Sequence, residues 1–350
     1  MNSIRIIKLI PLFSLVLISP CRSADVNAID SPKTVVLTTS YAKGADIGWL
    51  SEMEAKGKKF YTNDGIEHDL FDVLKSKGIN SVRFRIWVDP SNGNCNKADV
   101  VAMAIRAHQK GMRIMLDFHY SDSWVDNKSQ KKPHKWIDDS FEELKKAVYD
   151  HTFDVLNTLK LDGITPEWVQ VGNESDDGIL YPDGQISRGN GANLAKLFNA
   201  GYDAIKKIDT NIKVIAHASS SKDTTIYKTF FDALRINGAH WDIIGLSSYP
   251  WPSNAWKIHN DKMLECMKYL QKRYQKPIMI VEVGSSVTAP LDCKNMLMDL
   301  MKKNSSLGKK NGLGVFYWEP ECSIDWNKYK SGAFDTTGKP TEAMDAFLVN

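Results

Sequence analysis

The chain has 350 residues, 43% hydrophobic and 25% charged, the make-up of a soluble protein able to bury one large core or two ordinary ones. A formal charge of +3 and the lack of a long basic stripe exclude a nucleic-acid-binding protein; the densest patch, residues 128–135, reads as a solvated loop. Ten Trp residues suit a protein that stacks sugar rings, although core filling accounts for most Trp in most proteins.

Arg5 and Lys8 precede an apolar run, residues 9–18, too short to span a bilayer and fitting an export signal. Leu17-Ile-Ser-Pro-Cys21 looks like a lipoprotein box, which would acylate Cys21 and attach the chain to a membrane. Pro20 is atypical there, so ordinary cleavage near residues 21–23 stays open. No later stretch is apolar enough for a membrane helix. The expectation is an exported monomer, either a lipoprotein of the cell surface or outer membrane or a periplasmic or secreted protein. Residues 1–21 form the signal, 22–40 a tether and 41–350 a single catalytic domain. Cys95, Cys266, Cys293 and Cys322 then remain, allowing three full disulfide pairings or four buried thiols, and their spacing matches no zinc site.

From residue 41 onward, strand-like and helix-like segments alternate. Strands are expected near residues 43–47, 81–87, 113–119, 168–172, 213–217, 243–247, 278–282 and 314–318. Amphipathic helices are expected at 66–77, 98–110, 140–159, 192–208, 225–237, 257–274 and 291–304, with a last one near 341–347. Eight such units predict an α/β fold, the (β/α)8 TIM barrel. A doubly wound open sheet competes, but no glycine-rich phosphate loop follows the first strand.

Two strands end in acids: Glu167-Trp-Val-Gln-Val-Gly-Asn-Glu174 and Pro277-Ile-Met-Ile-Val-Glu282. An acid at the C-terminal tip of a buried parallel strand points out of the sheet toward a site, and two of them suggest a two-carboxylate hydrolase. In Ser81-Val-Arg-Phe-Arg-Ile-Trp87, alternation puts Val82, Phe84 and Ile86 against the helices and Arg83, Arg85 and Trp87 in the lumen. A buried arginine cannot discharge itself, so the strand-end carboxylates are its natural partners. In Leu116-Asp-Phe-His-Tyr-Ser-Asp-Ser-Trp124, Asp117, His119 and Ser121 share a face. His119 has no second ligand at metal spacing and reads as a hydrogen-bonding group.

The third-strand segment, continuing through Asp126 to Gln130, Pro133 and Trp136, resembles the endo-β-1,4-galactanases of glycoside hydrolase family 53. Gly44-Ala-Asp-Ile-Gly-Trp49, Val82-Arg-Phe-Arg-Ile-Trp87, Val171-Gly-Asn-Glu174 with Gly178 and Pro182-Asp-Gly184, Tyr249-Pro-Trp251 and Tyr317-Trp-Glu-Pro320 look like further family motifs. The resemblance implies cleavage of β-1,4-galactan, a side chain of pectic arabinogalactan, by a retaining double displacement. Glu174 corresponds to the acid/base and Glu282 to the nucleophile. Arg85 is expected to hold Glu282 ionised, Asn173 to bond the sugar 2-hydroxyl and Tyr249 to donate to the nucleophile. Trp87, Trp124, Trp251 and Trp318 are expected to stack sugars, and Asp46, His119, Asp183 and Glu319 to bind hydroxyls. No cofactor or metal is expected, since the trimmed loops seven and eight group too few oxygen ligands for calcium. Tyr181, Ser175 and the stretch after Glu282 depart from the family pattern, which bears on subsites and product length. Another glycanase on the same barrel and a non-catalytic glycan binder are the alternatives; the third-strand motif opposes the first and the paired acids oppose the second.

Overall fold

Strands buried on both faces need helices on the outside and a filled lumen within. The computed structural model describes residues 41–219 and 223–349, which cover this arrangement. The export segment, Cys21 and the tether lie outside the described residues. Eight parallel strands close into a barrel: β1 Ala42–Asp46, β2 Ser81–Ile86, β3 Arg113–Phe118, β4 Trp168–Val171, β5 Lys213–Ala218, β6 Ile243–Ser248, β7 Ile278–Val283 and β8 Gly312–Trp318. Each neighbours the next in sequence, and β8 pairs with β1 to leave no edge. Seven helices cover the barrel: α1 Leu70–Ser76, α2 Lys97–Gln109, α3 Phe141–Leu161, α4 Gly191–Ile208, α5 Thr224–Ile236, α6 Trp256–Tyr274 and α7 Pro290–Ser305. The segment after β8 ends in a 3₁₀ helix, Glu342–Leu348, where an α-helix was expected.

Local chemistry sets the helix starts. Asp69 accepts from Phe71 N–H at α1, Asn96 from Asp99 N–H at α2, and Ser140 with Glu143 makes a reciprocal capping box at α3. The helix expected from residue 66 begins only at Leu70, because Glu67–His68 pairs with Phe60–Tyr61 in a short hairpin. A second small hairpin, Gly178–Ile179 with Gly184–Gln185, and the helix Leu50–Ala55 were not anticipated. Among the described residues no helix is long and apolar enough to cross a membrane. Cys95, Cys266, Cys293 and Cys322 are all buried free thiols, so none of the three pairings forms.

The lumen changes character along its length. Ala42, Met115, Trp168, Ile215, Ile243, Met279, Val281 and Phe316 form an apolar plug separate from the core beneath the helices. Two residues further along β3, β4 and β5 stand Asp117, Gln170 and His217, and four further along β6 stands Ser247, all buried. Strand alternation thus turns an apolar floor into a polar mouth within one or two pleats. Glu282 needs one more device. Alternation from Met279 sends Val281 inward and Glu282 outward, but the β6–β7 register shifts between Leu246 and Ser247, pairing Ile280 with Leu246 and Glu282 with Ser247. This bulge re-aims the acid into the lumen.

Candidate active site

Arg83 is the hub of the mouth. Its Nη1 reaches Asp46 and, at 2.8 Å, Glu282 Oε1; its Nη2 donates to Asp117 at 2.8 Å and to Asn173 Oδ1 at 3.1 Å. A guanidinium buried among carboxylates stays charged and fixes their positions. Against the penalty of burial, Arg83 and His119 hold the Asp117 carboxyl below its ordinary value.

Glu174 and Glu282 stand at the C-terminal ends of β4 and β7. Burial lifts Glu174 to about 7, with Asp176 and Asp126 adding to the rise and the Ser247 hydroxyl, 2.7 Å from Oε1, opposing it. Burial lifts Glu282 to about 8 against the pull of Arg83, with Glu174 adding to the rise. Each carboxyl makes the other harder to ionise, so the pair titrates as a unit and holds one proton between its two steps. Taken singly, the higher value falls on Glu282. Arg83 makes its ion pair with Glu282, however, so within the pair the charge belongs on Glu282 and the proton on Glu174. The Tyr249 hydroxyl, kept protonated by burial, lies 3.3 Å from Glu282 Oε2 as a further donor to that charge. Glu174 has φ +43°, a left-handed conformation that a bulky residue adopts only where its surroundings demand it.

A second arginine supports the floor beside this pair. Arg85 bonds Glu319 and packs its guanidinium 4.2 Å from the Trp124 ring centroid, 5.4 Å from Trp49 and 5.5 Å from Trp87. Trp49, Trp124, Trp318 and Tyr329 meet edge to face, and Trp87 meets Trp124 likewise, with centroids 5.1–5.7 Å apart. Gly48 leaves the room for this: a Cβ there would sit 2.4 Å from Arg85 Nη1. Behind Glu319, the buried Glu321 has no donor to either oxygen. Burial, with the neighbouring Glu319 adding to it, raises its pKa well above the usual carboxylate range.

Several expectations need correction. Arg83, not Arg85, holds Glu282; Arg85 is committed to Glu319. Asp46 and Glu319 are fully buried and accept from these arginines, so neither is open to a sugar hydroxyl. His119 is spent as well: Nε2 meets Asp117 at 3.0 Å and Nδ1 accepts from Trp87 Nε1 at 3.2 Å. That bond and 7% exposure make Trp87 a wall. Asp183 is half-buried and paired with Lys132 at 2.7 Å. Asn173 gives one N–H to Val125 O at 2.9 Å and keeps a second for a ligand. Trp124 and Trp318 present partly open faces, while Trp251 stands 82% exposed on the loop after β6. Arg83 pairs with a strand-end carboxylate as strand alternation implied, whereas Gln170, His217, Ser247 and Trp49 were missed as site residues, although inward strand parity pointed at the first three.

A closed parallel barrel carrying two coupled acids at its C-terminal mouth, beside a floor of indoles, defines a glycoside hydrolase. The chain matches glycosyl hydrolase family 53 over residues 42–347. It belongs to that family. An arabinogalactan endo-β-1,4-galactanase of Cellvibrio japonicus is 31% identical over 89% of this chain and 90% of its own length. An endo-β-1,4-galactanase of Bacillus subtilis is 29% identical, over 85% of this chain and 76% of its own. A solved structure from a study of two fungal β-1,4-galactanases superposes with a TM-score of 0.82 at 26% identity, covering 89% of this chain and all of its own.

Proposed function

We propose that the chain is an exported endo-β-1,4-galactanase that cleaves the galactan side chains of pectic arabinogalactan with retention of anomeric configuration. The observation that carries the reading is the pair Glu174 and Glu282, with Arg83 on the second and Ser247 on the first. The galactanase descriptions of its relatives support the substrate. Glu282 attacks the anomeric carbon while Glu174 protonates the departing glycosidic oxygen. Water, deprotonated by Glu174, then attacks C1 as the bond to Glu282 breaks, which frees the sugar and restores both carboxyl groups. Arg83 keeps the nucleophile charged, and Tyr249 donates to the same oxygens. The free N–H of Asn173 is suited to the sugar 2-hydroxyl, a contact that tightens as positive charge builds on the ring. Trp124 and Trp318 supply flat apolar faces for galactose rings, and Trp251 supplies one further out. Attachment through Cys21 and a monomeric state belong to the same proposal.

The test is an assay on linear galactan, mannan and xylan, with NMR of the first product. Rapid fragmentation of galactan alone, with a β-configured first product, is expected. A preference for mannan or xylan overturns the substrate, and an α-configured first product overturns Glu282 as nucleophile.

A further inference from the structure

Ser247 stands between the two acids. Its Oγ lies 2.7 Å from Glu174 Oε1 and 2.9 Å from His217 Nε2, and in the β6–β7 ladder it is the register partner of Glu282. Both Ser247 and His217 are fully buried, so the direction of these bonds follows from counting protons. His217 Nδ1 faces the Glu174 backbone N–H at 3.2 Å, Gln170 Nε2 at 2.8 Å and Asn173 Oδ1 at 3.1 Å; the backbone N–H can only donate and Asn173 Oδ1 is already supplied by Arg83, so Nδ1 accepts. A neutral imidazole whose Nδ1 accepts carries its hydrogen on Nε2. Burial and the nearby Arg83 keep His217 neutral, well below the usual histidine range. The Nε2 hydrogen goes to Ser247 Oγ. The serine has one hydrogen left, and Glu174 Oε1 takes it.

We propose that Ser247, oriented by His217, is a positioning residue for acid catalysis: it reserves Glu174 Oε1 as an acceptor and leaves the catalytic proton on Oε2. The proposal rests on the reading of Glu174 as the acid. As the C1–O bond breaks, its electron pair stays on the leaving oxygen, which takes the Oε2 proton. Glu282 supplies the pair for the new C1–O bond. The charge arriving on Glu174 spreads to Oε1, where the serine already donates, so this hydrogen bond strengthens along the reaction. The backbone reinforces the orientation, because the Glu174 N–H that fixes the imidazole belongs to the same residue the serine holds.

The test uses Ser247→Ala on two substrates. One is linear galactan, whose leaving sugar needs the proton. The other is a dinitrophenyl β-glycoside of a galacto-oligosaccharide, whose leaving group needs none. For galactan kcat/KM is expected to fall about 10²-fold, and for the dinitrophenyl glycoside to stay within about 3-fold of wild type. The alkaline limb for galactan is expected to move to higher pH, because the lost bond favoured the carboxylate. In a Glu174→Gln background the serine change is expected to cost less than about 3-fold more, since its partner is already gone. Equal losses on both substrates, or additive losses in the double variant, mark a packing effect and overturn the proposal. Wild-type protein inactive on galactan overturns the substrate reading instead, and the two failures are separable because the dinitrophenyl arm also reports folding.

Discussion

Arg83 meets Asp46, Asp117, Glu282 and the Asn173 amide oxygen directly. Removing it leaves buried carboxylates uncompensated. Arg83→Met is expected to cost about 3–5 kcal/mol in denaturant unfolding and to abolish turnover, whereas Arg83→Lys keeps the charge but loses the fork. Glu174→Gln and Glu282→Gln are each expected to lower turnover by about 10³-fold or more while galactan still binds, as calorimetry and initial rates together would check. Near-normal turnover in either variant removes that residue from its role. The two acids were legible because each closes an apolar strand. The division of labour between Arg83 and Arg85 was not, since parity fixes a face but not which acids meet it at each height. His217 and Ser247 escaped notice for a related reason: each is an ordinary polar residue in a strand, and only the closed ladder brings them to Glu174.

At the scale of elements, strand and helix boundaries agreed within a residue or two wherever an apolar period ran long. The two-residue hairpins escaped because so short a pairing has no period to read. The bulge in β7 was likewise invisible, although Glu282 faces the lumen because of it. The turn from β1 toward Leu50–Ala55 is also tightly built. Gly48→Ala pushes a methyl into Arg85 and, through it, the indoles it supports. A rise in KM of about 10-fold with a smaller change in kcat is expected from steady-state kinetics. A change confined to kcat would uncouple Arg85 from the floor.

For the whole molecule, closure was legible from eight alternations in order, whereas the apolar plug was not anticipated. The fate of the cysteines was not, because spacing says nothing about approach in space. With four buried thiols and no cross-link among the described residues, a reducing agent is expected to leave the melting temperature unchanged. A fall under reduction would reveal a bridge and contradict the structure. The stability of this chain therefore rests on its packing and ion pairs, with no covalent cross-link among the described residues to share the load.

Glu321 has a consequence for folding. A carboxyl whose native pKa lies above its unfolded value binds an extra proton on folding, so its stabilising share is complete in acid and drains away as pH climbs through the native value. At neutral pH the native protein must hold that proton against solvent, a standing charge on its stability unrelated to the chemistry at Glu174. Glu321→Gln keeps the shape of the side chain and needs no proton. Thermal melts of this variant are expected to rise above wild type at pH 8 and to converge with it near pH 4. Identical curves at both pH values would mean that Glu321 is ionised in the native fold after all.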